Sequence, residues 1–231
     1  MNVSQNKTHL QIIRVLQSNW QEEVKKMVDI ICTFLTNRIR KEMPEIDDEK
    51  AEVINYGLQN IVGEIPKIFL LFIISYILGM FKEVLFMFIV LLPYRGASGG
   101  FHLKTHLGCI LGTTVFYCGN VFLSQHVILD DITKYILIGI SWIFGMFMIK
   151  LYAPADTENV PILSKKDRKR KQMIAYITYS IGLIVALFIQ NNVISNILLF
   201  GNLLQTLTIT KLAYRLTKNK YGYEVYGDAS A

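Results

Sequence analysis

Charged residues are missing from two long stretches of this 231-residue chain, and their absence excludes an ordinary soluble domain. No Asp, Glu, Lys or Arg occurs in residues 105–129 or 172–210. At about 1.5 Å of helix rise per residue, the 39 residues of the second stretch are roughly twice what a hydrocarbon core of about 30 Å requires. We therefore interpret this stretch as a hairpin of two membrane spans, with its polar turn at Gln190-Asn191-Asn192.

Cysteine is also scarce, and patches suited to nucleic acid are missing. The three cysteines, Cys32, Cys109 and Cys118, show no paired spacing, so a disulfide framework is not indicated. The net charge is +6, but the basic residues flank apolar spans and form no patch with exposed aromatic residues. We expect no nucleic acid partner and attribute the positive charge to membrane topology.

What the chain has instead is apolar sequence in blocks of span length. Hydrophobic residues make up 52% of it, which predicts an all-α, polytopic membrane protein with about six transmembrane helices. The second span is short, and it is predicted either to cross fully or to be re-entrant or tilted. The six spans are expected at about 66–81, 84–94, 107–125, 133–150, 173–190 and 193–211.

The segment before the first span is amphipathic, with helical spacing of apolar residues from 20 to 39 and again after Asp48, a candidate N-cap. We divide the chain into a cytoplasmic or interfacial helical segment (1–65), a transmembrane helical domain that would carry the chemistry (66–215) and a cytoplasmic tail (216–231). With both termini cytoplasmic, the outer loops contain only the bases Lys82 and Lys134, and the basic run at 165–171 lies inside.

One segment between the predicted second and third spans breaks the apolar pattern. It reads Pro-Tyr-Arg-Gly-Ala-Ser-Gly-Gly-Phe-His (93–102), and Cys109 follows His102 by seven residues. Gly99 and Gly100 allow a sharp turn and a close backbone approach. In one continuous helix His102 and Cys109 would stand about 10 Å apart, too far for a hydrogen bond of about 3 Å. Contact between them requires His102 to lie in non-helical chain folded back over the helix start.

Such a contact would suit nucleophilic catalysis, because an adjacent imidazolium and a helix N-terminus both favour the reactive thiolate. Two other interpretations stay open. Cys109 could be a small buried hydrophobe, with His102 an interfacial residue. Alternatively, His102, His106 and Cys109 could bind zinc from one helix face, at positions i, i+4 and i+7. No acidic residue or fourth ligand is near them in the sequence, so we predict no metal and no cofactor.

Three motifs, in order along the chain, resemble one family of membrane proteins. Asn55-Tyr56-Gly57-Leu58-Gln59 precedes the first span, Arg95-x4-Gly100-x-His102-x6-Cys109 follows the second, and Tyr152-Ala153-Pro154-Ala155-Asp156 with Pro161-Ile162 precedes the basic run. Together they resemble the accessory gene regulator B (AgrB) family. Its members are membrane cysteine endopeptidases of bacterial peptide quorum sensing, so the resemblance places the chain in the bacterial cytoplasmic membrane.

The resemblance implies a definite reaction. The family cuts a small precursor peptide (AgrD-like) at the C-terminal side of its future ring. The fragment that contains the ring segment stays bound to the enzyme as a thioester. The peptide's own Cys or Ser then closes a thiolactone or lactone. Cys109 would be the nucleophile and His102 the general base and acid. The family also suggests a homodimer. Arg95, Ser98, Gly99 and Gly100 would serve architecture or substrate contact, and the residue that orients His102 would be Gln59, Glu64 or Ser98.

Two other function classes stay open beside the enzyme. A small transporter or exporter usually keeps ionisable groups inside its spans, and here the span interiors are nearly free of them. In a non-catalytic scaffold, the glycine-rich turn would only pack helices. The basic run at 165–171 is expected to meet anionic lipid headgroups, or to attract an acidic tail of the precursor.

Overall fold

The computed structural model describes residues 3–103, 106–158, 160–162 and 164–226. Over these ranges the chain is helical with no β-strand, which confirms the all-α prediction. In chain order the helices are α1 (Val3–Glu42), α2 (Asp48–Ile77), α3 (Phe81–Ser98), α4 (His106–His126), α5 (Asp131–Tyr152), α6 (Lys165–Phe188), α7 (Asn192–Thr208), α8 (Lys211–Leu216) and α9 (Gly222–Tyr226).

The chain divides into two compact units, Met1–Leu71 and Phe72–Ala231. In the first unit, the Thr36 hydroxyl on α1 donates to Asn55 Oδ1 on α2 at 3.3 Å. The N-cap predicted at Asp48 lies one residue earlier, because Asp47 Oδ1 accepts from the Lys50 N–H at 2.8 Å. Helix α2 continues through Pro66, from the predicted interfacial segment into the predicted first span. The domain limits at 65 and 215 stay predictions.

The structure supports a membrane protein, with fewer clear spans than predicted. Among the described residues, four helices are long and apolar enough to cross a bilayer: α2, most of α4 (Leu107–His126), α5 and α6. Helix α3 has 18 residues and includes Lys82, Glu83 and Arg95. Helix α7 has 17 residues. The six-span count is therefore not confirmed.

The chain breaks between α6 and α7 where the polar turn is predicted. Helix α6 ends at Phe188 and α7 begins at Asn192. The side chain of Asn191 caps α7, accepting from the Ile194 N–H at 3.1 Å. An exposed apolar stripe on α5 fits contact with lipid rather than water, since such large patches are rare on soluble proteins. The stripe consists of Ile132, Ile136, Ile140, Ile143 and Phe147.

Buried tyrosines fix the position of α3 within the second unit. Helix α3 packs against α6 and α7, and α7 also packs against α4. Tyr94 Oη shares a hydrogen bond of 2.7 Å with Thr206 Oγ1 on α7. The Tyr94 ring lies 5.2 Å from that of Tyr179 on α6, whose hydroxyl donates to the Ser141 carbonyl on α5 at 2.6 Å. The end of α3 that carries the glycine motif is thus tied to α6 and α7, and through Tyr179 to α5.

Candidate functional site

The glycine motif ends α3 and pairs its backbone with the loop after α5. The Ala155 N–H donates to the Ser98 carbonyl at 2.8 Å, and the Gly100 N–H donates to the Ala155 carbonyl at 3.0 Å. Gly99 and Gly100 have φ angles of +74° and +142°, which side chains disfavour. A Cβ on Gly99 would overlap the Ala155 carbonyl, and one on Gly100 would stand 2.7 Å from Thr208 Oγ1. The motif therefore requires glycine at both positions.

Gln205 on α7 joins the parts of the motif. Its Oε1 accepts from Arg95 Nη1 at 2.8 Å. Its Nε2 donates to Ser98 Oγ at 3.0 Å and to the Gly99 carbonyl at 2.8 Å. Ser98 and Gln205 are fully buried. Removing either side chain would leave buried polar groups without hydrogen-bond partners. The sequence analysis did not single out Gln205, although an amide within a predicted span was an available signal.

His102 and Cys109 lie on the wall of one cavity. His102 is in non-helical chain after the glycine turn, and Cys109 is the fourth residue of α4, in its first turn. The cavity has a volume of about 170 Å³. His102 is therefore outside the helix, as a contact between the two residues requires, and both residues line the same cavity. The remaining walls are formed by Arg95, Phe101, Leu103, Gly112, Thr113, Phe116, Tyr117, Thr208 and Thr217.

The zinc interpretation required His102, His106 and Cys109 on one helix face, and the structure does not give this arrangement. His102 lies four residues before α4 begins, so the three proposed ligands do not share one helix face. The side chain of His106 lies outside the described residues. Within the described part of the chain, no group of three or more His, Cys, Asp or Glu residues is placed to hold a metal.

The residues proposed to orient His102 have other partners in the structure. Ser98 Oγ accepts from Gln205. Gln59 and Glu64 belong to the first unit, where Gln59 Nε2 donates to Asp29 Oδ1 at 3.0 Å and Glu64 pairs with Lys67 at 2.6 Å. The catalytic roles of His102 and Cys109, and the orienting role of these three residues, stay predictions.

The loop that pairs with the motif is itself anchored to α6. Asp156 is buried, and its Oδ2 accepts from the Ile162 N–H at 2.9 Å and from Arg168 Nη1 at 3.0 Å. Arg168 Nη2 also donates to the Pro154 carbonyl at 3.3 Å. Because a buried carboxylate is costly without its cation, Arg168 has a structural role that distinguishes it from the rest of the basic run.

The chain is similar to known proteins over most of its length. A family model described as accessory gene regulator B matches residues 32–209. An AgrB-like protein of Listeria innocua is 27% identical over 87% of this chain and 94% of that protein. One from Listeria welshimeri is 28% identical with the same coverage, and one from Clostridium acetobutylicum is 22% identical over 86% and 90%. No solved structure matches.

Substitution of Gly99 tests whether the backbone pairing holds the site together. We expect Gly99→Ala to lower the free energy of unfolding by about 2 kcal/mol or more, because the new Cβ overlaps the Ala155 carbonyl and the φ angle is positive. Gly96→Ala is the matched control, since a Cβ at Gly96, three residues earlier, meets no heavy atom within 4 Å. Thermal unfolding in detergent measures both. Equal stability of the two variants would contradict the required pairing.

Proposed function

The chain belongs to the accessory gene regulator B family, and on this premise we propose that it is a membrane-embedded cysteine endopeptidase of quorum sensing. Its substrate is a small AgrD-like precursor peptide, which it cuts and closes into a thiolactone or lactone. The observation that carries the proposal is the cavity of about 170 Å³ that His102 and Cys109 line together.

The first half of the reaction is acyl transfer to the enzyme. A ring nitrogen of His102 takes the proton of the Cys109 thiol, and the thiolate attacks the scissile carbonyl carbon. The carbon–nitrogen bond then breaks, the departing amine takes the proton back from His102, and the fragment stays on Cys109 as a thioester. Cys109 suits this role because it sits in the first turn of α4, where the helix dipole favours negative charge.

The second half of the reaction closes the ring. The peptide's own thiol or hydroxyl gives its proton to His102 and attacks the thioester carbonyl, and Cys109 leaves as the thiolate and is reprotonated. Water competes for the same thioester. The apolar walls formed by Phe101, Leu103 and Phe116 support ring closure over hydrolysis, because they reduce access of water to the bond.

Arg95 contributes positive charge to the same cavity. Its side chain lies on the cavity wall and is oriented by Gln205 Oε1 at 2.8 Å. A guanidinium stays charged at all relevant pH values. We assign it to stabilising the negative charge that develops on the substrate carbonyl oxygen, or to holding the peptide near it.

The proposal includes the six-span topology, with both termini in the cytoplasm. Helices α3 and α7, of 18 and 17 residues, reach about 27 and 26 Å at 1.5 Å per residue, close to the thickness of the hydrocarbon core. Six spans place the glycine turn and the basic run on the same cytoplasmic face. The precursor would then reach the site from the compartment in which it is made.

The exposed bases of α6 are proposed to attract the acidic tail of the precursor. Lys165, Lys166, Lys169 and Arg170 are exposed to solvent. Arg168 is not counted with them, because it is bonded to Asp156. Fixed positive charge on α6 would raise the local concentration of an acidic peptide.

Removing the sulfur of Cys109 tests the proposed nucleophile. We expect Cys109→Ala to reduce precursor cleavage at least about a thousandfold, because no acyl-enzyme can form. Cys118→Ala is the matched control: Cys118 lies on the same helix, is buried, and does not line the cavity. Cleavage is measured by mass spectrometry in proteoliposomes. Normal cleavage by Cys109→Ala would refute the proposal.

Neutralising the exposed bases tests the proposed attraction of the peptide tail. Changing Lys165, Lys166, Lys169 and Arg170 to Gln should raise the Michaelis constant about three- to tenfold and leave kcat and membrane insertion unchanged. The control changes two other exposed bases of the same predicted face, Arg215 and Lys220. An unaltered Michaelis constant at low salt would remove this role.

A further inference from the structure

We propose that Asn219 is a positioning residue for His102, an inference that rests on the proposed function. The side-chain amide of Asn219 donates from Nδ2 to the His102 carbonyl oxygen at 2.8 Å. The two residues are 117 positions apart, and Asn219 lies beyond residue 209, where the match to the family model ends. The segment after α7 therefore adds a contact to the site from beyond the residues that the family model matches.

The amide of Asn219 is held in a fixed orientation. Its backbone N–H donates to the Tyr214 carbonyl at 2.9 Å, and the chain turns at Lys218 with a φ angle of 55°. Its Nδ2 also donates to Thr217 Oγ1 at 2.8 Å, and that hydroxyl donates in turn to the Ala213 carbonyl at 2.8 Å. The Nδ2 atom of Asn219 also approaches the Thr217 carbonyl at 3.4 Å, so the amide donates both to Thr217 and to the His102 segment.

The segment that carries Asn219 is anchored to the loop that pairs with the glycine motif. The Tyr214 hydroxyl donates to the carbonyls of Ala155 at 2.9 Å and Asp156 at 3.1 Å. The Tyr221 ring stacks on that of Tyr214 at 4.0 Å. Burial raises the pKa of both tyrosines well above its ordinary value, so both hydroxyls stay protonated as donors. The segment that carries Asn219 is therefore fixed by hydrogen bonds to the loop that pairs with the glycine motif.

A hydrogen bond at its backbone matters for His102 because this residue lies outside the regular hydrogen bonding of a helix. It follows two glycines with positive φ angles and lies outside any helix, with its side chain exposed. A base must be held within a fraction of an ångström of its target, and a misplacement of 1 Å can cost about a hundredfold in rate. A bond to the His102 carbonyl restricts the backbone from which the ring extends. Its loss should therefore slow the chemical step and leave peptide binding intact.

Thiol reactivity isolates this effect from peptide processing. In the full-length chain with Cys32→Ser and Cys118→Ala, Cys109 is the only cysteine, and its alkylation by iodoacetamide at pH 7 reports on activation by His102. We expect His102→Gln to slow alkylation about tenfold and Asn219→Ala about three- to tenfold. Lys220→Ala, which changes an exposed neighbour, is the control and should have no effect. Asn219→Asp, similar in shape but without N–H donors, should act like Asn219→Ala and substitutes for it if that variant does not fold.

Kinetics of precursor cleavage complete the test. Asn219→Ala should lower kcat about ten- to a hundredfold, with the Michaelis constant within about twofold and the melting temperature unchanged. If His102→Gln slows alkylation and cleavage while both Asn219 variants leave them normal, the positioning role is wrong and the proposed function survives. If His102→Gln changes neither measurement, His102 does not activate Cys109. The proposed function and the positioning role of Asn219 are then both wrong.

Discussion

The backbone pairing between the end of α3 and the loop after α5 is the constraint on which the rest of the site depends. Two hydrogen bonds, from Ala155 to Ser98 and from Gly100 to Ala155, stop α3 and redirect the chain toward the cavity. Their geometry leaves no space for a side chain on Gly99. Gln205 then ties Arg95 to the same turn. His102 and Cys109 reach one cavity because this turn forms.

The surroundings of the turn explain how a flexible glycine segment becomes a defined site. Buried tyrosines bind α3 to its neighbours, and the Asp156–Arg168 ion pair, joined at 3.0 Å, fixes the loop to α6. Each bond lies where an unpaired polar group would be costly. In the proposed reaction, the apolar cavity walls would favour attack on the thioester by the peptide over attack by water.

Much of this arrangement can be predicted from the sequence, because it depends on residues that are close together in the chain. Charge-free stretches indicate membrane helices, and the adjacent glycines before His102 indicate a turn. Gln205 and Asn219 act through partners more than a hundred residues away, a separation that periodicity does not encode. The six-span count stays unconfirmed, because α3 and α7 are short and α3 carries charged residues near its ends. The N-cap was misplaced by one residue because Asp47 and Asp48 are equally suitable by type.

Trapping the acyl-enzyme tests the central claim most directly. A precursor peptide whose ring-closing Cys or Ser is replaced by Ala can acylate Cys109 but cannot cyclise. Incubated with the full-length protein in lipid nanodiscs and analysed by mass spectrometry, it should leave the cleaved fragment attached to Cys109, and hydroxylamine should release it as expected for a thioester. Cleavage without a fragment on Cys109, or a fragment attached to another residue, would contradict the account.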